Sequence, residues 1–173
     1  RIGSQAAGRS RHAERASHAV ASIATSDPVV PEHSPSATDA RTAEGEGARM
    51  ITVHGRTRQQ FYDGRANWSR IAAVVESVSL PVIANGDIVD AASARQAMSE
   101  SGATGVMIGR GATGRPWRVA EISNALFGTP YTAPTADEKL ASMLDQIAGS
   151  VALYGEKLGV RVVRKHIAAF VDA

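Results

Sequence analysis

The sequence predicts an α/β fold built on a parallel sheet and followed by an all-helical segment. Three short apolar runs predict it: Met50 to His54, Val82 to Asn85 and Gly105 to Ile108 have strand length, and the residues between them have helical periodicity. Strands alternating with helices at such short spacing are the mark of parallel pairing through right-handed crossovers. Beyond Pro134 the apolar residues recur at helical spacing, so a separate helical unit is expected there.

From Arg1 to Asp39 the chain is rich in Ala, Ser, Arg, His and Pro and holds neither a period of two nor one of 3.6. This segment is predicted to be disordered or non-homologous to the remainder of the chain. Ala43 to Gly47 reads as the tail of a helix, and Met50-Ile51-Thr52-Val53-His54 as the first strand. Asn67 is placed to cap a helix whose inward face is Trp68, Ile71, Ala72 and Val75. Pro81 opens the second strand, Val82-Ile83-Ala84-Asn85. Asp90 caps the next helix, which turns Ala94, Ala97, Met98 and Ser101 inward and ends at Gly102.

The third strand leads into Gly109-Arg110. Pro116 stands at a first helical position, and Trp117 to Leu126 forms a helix that offers Val119, Ile122 and Leu126 for burial before Gly128 ends it. Residues 129–134 read as a linker between domains. Thr135 and Glu138 fit a capping box, and Leu140, Met143, Leu144, Ile147 and Val151 make a helical stripe through Tyr154. After a break from Gly155 to Gly159, a last helix lines Val160, Val163, Ile167 and Phe170 on one face. Arg161, Arg164, Lys165 and His166 lie elsewhere on its circumference.

Composition narrows the chemistry. The chain has 173 residues, 43% hydrophobic and 21% charged, as in ordinary soluble proteins. A complete (β/α)8 barrel takes about 250 residues, so any barrel reading is a partial one. A net charge of +2 implies no strong global attraction to nucleic acid, and local patches must supply it. The absence of cysteine excludes disulfides, thiolate metal sites and cysteine catalysis within these residues. Glu76, Glu100, Asp137 and Asp145 show no metal-ligand spacing, and neither a Walker motif nor a dinucleotide-binding glycine fingerprint occurs. With no long apolar run or signal-peptide core, a cytoplasmic protein without a membrane anchor is expected.

Three clusters stand where strands end, and in parallel sheets ligands bind at those ends. His54-Gly55-Arg56-Thr57 is the first; the same residues also suit a surface turn with a solvated Arg. Asn85-Gly86-Asp87 is the second, where glycine permits close approach to a ligand and Asn and Asp offer polar edges, although the triplet is also common turn chemistry. Gly109-Arg110-Gly111, with Gly114-Arg115-Pro116-Trp117 behind it, offers backbone N–H groups and a guanidinium to a phosphate. Arg161, Arg164, Lys165 and His166 suit either an RNA backbone or a solvated helix face.

The words themselves are specific. Met50 to Thr57, Tyr62-Asp63-Gly64-Arg65-Ala66-Asn67-Trp68, Pro81 to Ile88 and Val106 to Trp117 resemble, in wording, order and spacing, the bacterial tRNA-dihydrouridine synthase family. Arg164-Lys165-His166 is similar to the basic motif of that family's C-terminal domain. The resemblance runs from about Ala43 to the end.

It implies an α/β fold comprising a partial TIM (β/α)8 barrel, the last three strands being present over residues 40–128. The linker 129–134 and the start of a helical tRNA-binding domain at 135–173 would come next, behind a non-homologous or disordered segment at 1–39. It implies an oxidoreductase that uses FMN, with NADPH (or NADH) as reductant, to convert uridine in tRNA to 5,6-dihydrouridine. Asn85, Gly86 and Asp87 would hold FMN through its polar and phosphate-ribitol portion, Gly109 and Arg110 would hold its phosphate, and His54 would lie against the ring. Arg56 would stand near the flavin and substrate end, and Arg161, Arg164, Lys165 and His166 would meet tRNA. The family protonates the uracil with a cysteine from the first barrel half. That cysteine is absent here, so no catalytic residue is assigned and the chain alone is expected to be inactive. A non-catalytic RNA-binding module and another phosphate-binding barrel enzyme are the competing readings.

Overall fold

The structure, a computed structural model, describes residues 20–24, 35–60 and 63–172. The chain divides into two compact units, one of Arg1–Ile88 with Arg95–Met107, the other of Val89–Ala94 with Ile108–Ala173.

The first unit is a four-stranded sheet with helices between its strands. In chain order the elements are β1 (Val20–Ala24), α1 (Pro35–Gly45), β2 (Met50–His54), α2 (Ser69–Val75), β3 (Val82–Asn85), α3 (Ala91–Ser101), which begins in the second unit, and β4 (Gly105–Met107). The sheet order is β1-β2-β3-β4, and every pairing is parallel. All three residues between Met50 and His54 are buried, as befits a parallel strand covered on both faces. Ile51, Val53, Val82, Ala84, Ile71 and Val74 form the centre of this core.

Two features depart from the expected pattern. The sheet has four strands rather than three, and the additional strand lies within the segment expected to be disordered, as does the start of α1. Val20 and Ile23 are the only β-branched residues of β1, too weak a local signal to mark a strand. Its order comes from the ladder Val20↔Met50 through Ala24↔His54, and sheet formation is governed more by such pairing than by intrinsic preference. The expectation for residues 1–19 and 25–34 falls outside the described residues. In α2 the deepest residues are Ile71 and Val74, with Val75 half-buried. Within this seven-residue helix the fully buried pair is spaced i, i+3, and Trp68, just ahead of it, is buried as expected.

Local signals do close the helices. Asn67 Oδ1 accepts from the Arg70 N–H at 3.3 Å. Asp90 Oδ1 accepts from the Ser93 N–H at 2.7 Å ahead of α3, and Gly102 takes φ +68 behind it. Glu44 at the end of α1 accepts from both the N–H and the hydroxyl of Ser79, which holds its carboxyl below the usual range.

The second unit contains a 3-10 turn (Arg110–Ala112), α4 (Arg118–Phe127), α5 (Ala136–Tyr154) and α6 (Glu156–Val171). Pro116 and Trp117 form a turn just ahead of α4, and Gly128 ends it at φ +67. The capping box forms as the sequence indicates: Thr135 Oγ1 accepts from the Glu138 N–H, and Glu138 accepts from the Thr135 N–H. The expected break at 155–159 shrinks to the single residue Gly155, and residues 156–159 are helical. Gly159 explains how: a Cβ there would lie 2.5 Å from Ser150 O and 2.7 Å from Val151 Cα, so only glycine lets α6 approach α5 so closely.

Met143 and Val163 are buried in this hairpin, whereas Leu140, Leu144 and Val160, expected on the inward stripes, are exposed. Each helix of the pair buries a narrow seam rather than a broad face. Val119 is likewise exposed, and Ile122 is the buried residue of α4. Among the described residues no helix is long and apolar enough to cross a membrane.

Candidate ligand site at the strand ends

Register places the first two sequence clusters side by side. His54 pairs with Asn85, and Asn85 pairs with Met107, so the C-terminal ends of β2, β3 and β4 finish level along one edge of the sheet. Gly55 N–H continues the ladder by donating to Asn85 O at 2.8 Å, and the Asn85 side chain donates from Nδ2 to Met107 O at 2.8 Å.

Arg56 lies at the centre of the cluster and is only 5% exposed. Its Nη2 donates to Asp87 Oδ2 and to Gly64 O, each at 2.7 Å, and its Nε donates to Asp63 O at 3.3 Å. The same Asp87 oxygen accepts from the Ala66 N–H at 2.7 Å. One carboxylate and one guanidinium thus bind the loop around residues 63–66 to the end of β3. Nη1 of Arg56 is buried and has no hydrogen-bond partner among the described residues.

The backbone around Asp87 is shaped to permit this. Asp87 takes φ +54, the left-handed region that Asp tolerates better than most residues, and Gly86 takes φ +113. A Cβ on Gly86 would lie 2.8 Å from Ala66 Cβ and 3.0 Å from His54 Cε1, so glycine is needed for space as well as for conformation. Trp68 Nε1 donates to Gly86 O at 2.9 Å and holds the turn from behind. His54 Nδ1 accepts from the Arg56 N–H at 3.1 Å. A ring nitrogen that accepts cannot carry a proton, so the neutral imidazole carries its proton on Nε2.

His54, Arg56, Asn85, Gly86 and Asp87 therefore gather in the first unit, as the strand-end argument predicts. Sequence reasoning gave no role to Ala66 and read Trp68 only as an inward-facing packing residue, which its burial bears out. The signal for a place at the site was the motif Tyr62 to Trp68, which helps to carry the family resemblance. Gly109 and Arg110 belong to the second unit and come two and three residues after the end of β4. A Cβ on Gly109 would meet nothing within 4 Å. Arg161, Arg164 and Lys165 are exposed on α6, and His166 is half-buried. In the same unit Arg115, Arg118 and Lys139 line a cavity of about 510 Å³ with Trp117, Tyr131 and Phe170. Lys139 Nζ stands 5.4 Å from the Trp117 ring centroid. No cluster of His, Asp or Glu able to hold a metal occurs among the described residues.

Residues 27–173 match the family model described as Dihydrouridine synthase (Dus). The match begins ahead of the boundary at Ala43 drawn from the motifs. The chain is 50% identical over 135 residues to a probable tRNA-dihydrouridine synthase of Rhodobacter capsulatus, covering 78% of this chain and 42% of that protein. It is 49% identical over 129 residues to a probable tRNA-dihydrouridine synthase of Rickettsia conorii, covering 74% and 39%. It is 43% identical over 129 residues to tRNA-dihydrouridine synthase B of Pseudomonas putida, covering 74% and 38%. The chain thus spans about two fifths of the length of these relatives.

Proposed function

This chain belongs to the dihydrouridine synthase family, and from that premise we propose that it is part of an FMN-dependent tRNA-dihydrouridine synthase acting in the cytoplasm. The observation that carries the reading is the level edge formed by His54, Asn85 and Met107, with Gly86 and Asp87 turning off it. The sheet order supports a partial TIM barrel: four parallel strands in sequence order, with no reversal, trace an arc of a barrel rather than a doubly wound sheet. The helical hairpin beyond the linker is the start of the tRNA-binding domain.

Each unit by itself offers groups suited to one part of a flavin nucleotide. The strand-end cluster offers an imidazole protonated at Nε2 and the turn from Asn85 to Asp87, and its buried Arg56 Nη1 still lacks an acceptor. Gly109 has the open surroundings that a phosphate needs for close approach, and the guanidinium of Arg110 is the next residue. In this reading Asn85, Gly86 and Asp87 hold the ribityl and polar portion, Gly109 and Arg110 hold the phosphate, and His54 lies against the ring.

A bound FMN, reduced by NADPH or NADH, would supply the hydride for C6 of the uracil. The chain's own residues bind and orient. The His54 N–H is a neutral donor, and the turn from Asn85 to Asp87 presents backbone groups fixed by Trp68 and Arg56. The uracil must leave the folded RNA to reach this edge, and exposed Arg161, Arg164 and Lys165 on α6 suit the phosphates of that RNA. With no cysteine in the chain, protonation at C5 has no donor of the family's kind here.

Flavin absorbance of the purified chain, repeated with Arg110→Ala, tests the proposal. Retained flavin that Arg110→Ala releases supports it. A chain that never takes up FMN yet binds tRNA in a salt-sensitive way would instead favour the non-catalytic RNA-binding module, for which the exposed cations of α6 speak.

A further inference from the structure

Arg56 has the position of a ligand-binding cation and the bonding of a structural one. It is the most buried charged side chain among the described residues, and its guanidinium donates to Asp87 Oδ2, Gly64 O and Asp63 O. Asp87, which the family resemblance assigns to the cofactor, spends one carboxylate oxygen on Arg56 and on the Ala66 N–H.

We infer that Arg56 is a positioning residue: with Asp87 it clamps residues 63–66 against the end of β3, and the clamp sets the Gly86 turn and the His54 ring. This rests on the flavin reading for what the ring and turn are positioned toward, and stands without it as a statement about the strand ends.

Five contacts link the clamp to the ligand-facing groups. The Ala66 N–H is held by Asp87, and Ala66 Cβ is the atom that a Cβ on Gly86 would strike at 2.8 Å. Gly86 O is held in turn by the Trp68 indole. His54 Cε1 lies against the same glycine, and His54 Nδ1 takes the Arg56 N–H. Side chain and backbone of Arg56 therefore both bear on the surroundings of one turn. A lysine could keep the charge at Asp87, but as a compact point donor it could not also span the carbonyls of residues 63 and 64. The left-handed φ of Asp87 fits the same account, because a sparsely populated conformation persists where its surroundings over-determine it.

The test uses NMR of the ligand-free chain, reading the Trp68 indole N–H and the His54 ring nitrogens in the wild type, Arg56→Lys, Arg56→Met and Asp87→Asn. In all three variants both signals should shift, and His54 should lose its single Nε2–H tautomer, while the helical signal at 222 nm persists. FMN affinity, measured separately by flavin fluorescence, should fall about tenfold or more, as is usual for groups acting through another residue. Arg56→Lys should recover only part of either effect.

Unmoved Trp68 and His54 signals in folded Arg56→Met would overturn the clamp, even if the wild type binds FMN. Shifted signals in a chain that takes no FMN would uphold the clamp and sink the cofactor reading. Should every variant unfold, hydrogen exchange in the wild type decides. The Ala66 amide and the Trp68 indole should open together at one protection level, and free exchange at Ala66 would refute the inference.

Discussion

Two glycines in the α5–α6 hairpin set opposing effects against each other. Replacing glycine by alanine inside a helix gains about 0.5 to 1 kcal/mol from reduced backbone freedom and better helix propensity, provided that the methyl has room. Gly149 in α5 has room, for a Cβ there meets nothing within 4 Å, so Gly149→Ala should stabilise by that amount. Gly159 in α6 has none. Its Cβ would lie 2.7 Å from Val151 Cα, roughly 0.8 Å inside the shortest comfortable carbon separation of about 3.5 Å. The obstructing atoms are backbone and cannot rotate away, so the helices must part and loosen the seam at Met143 and Val163. Overpacking of this kind costs about 1 to 3 kcal/mol and, toward its upper end, outweighs the propensity gain. Urea unfolding monitored at 222 nm should therefore move in opposite directions for the two variants. If Gly159→Ala raises the midpoint as Gly149→Ala does, the close approach of the helices is wrong.

Three further substitutions each remove one hydrogen-bonding side-chain group. Trp68→Phe removes the indole donor to Gly86 O and should cost about 1 to 3 kcal/mol, read from thermal melting, because a buried carbonyl loses its partner. Asp87→Ala strips the carboxylate from a guanidinium that is 5% exposed, and chemical denaturation should show a loss of about 3 kcal/mol or more. Thr135→Ala should cost about 1 kcal/mol by breaking the capping box, with amide exchange rising first at residues 136–138.

The acid side of the stability profile has a definite sign. Hydrogen bonds from the Ser93 N–H and hydroxyl hold the Asp90 carboxyl below its ordinary value. A folded-state value lower than the unfolded one gives stability that is complete above the unfolded value of about 3.9 and fades as pH falls through the folded one. Asp90→Asn should therefore flatten part of the loss of stability below about pH 4 while leaving neutral pH little changed, and an unaltered acid limb would remove Asp90 from the account.

What the sequence revealed, and what it withheld, divides along physical lines. Caps at Asp90 and at Thr135 with Glu138, and left-handed ends at Gly102 and Gly128, were legible because each depends on a few adjacent residues. The clustering of His54 with Asn85 was legible because strand ends in a parallel sheet share an edge. Strand β1 was not, since Val20-Ala21-Ser22-Ile23-Ala24 has little intrinsic preference and is ordered by a partner about 30 residues away. Nor was the bond from Arg56 to Asp87, because pairing across 31 residues depends on register that a single sequence does not state. The exposed faces of Leu140 and Leu144 were misjudged because helical periodicity marks an apolar stripe but not the width of what covers it.

The one-residue joint at Gly155 also fixes the phase between two helices. Each residue inserted between Gly155 and Gly159 would turn the notch about 100° around the axis of α6, carrying it away from Ser150 and presenting a side chain in its place. The irregular stretch at 129–134 carries no such angular constraint. A single-residue insertion should therefore be tolerated better at 129–134 than between Gly155 and Gly159.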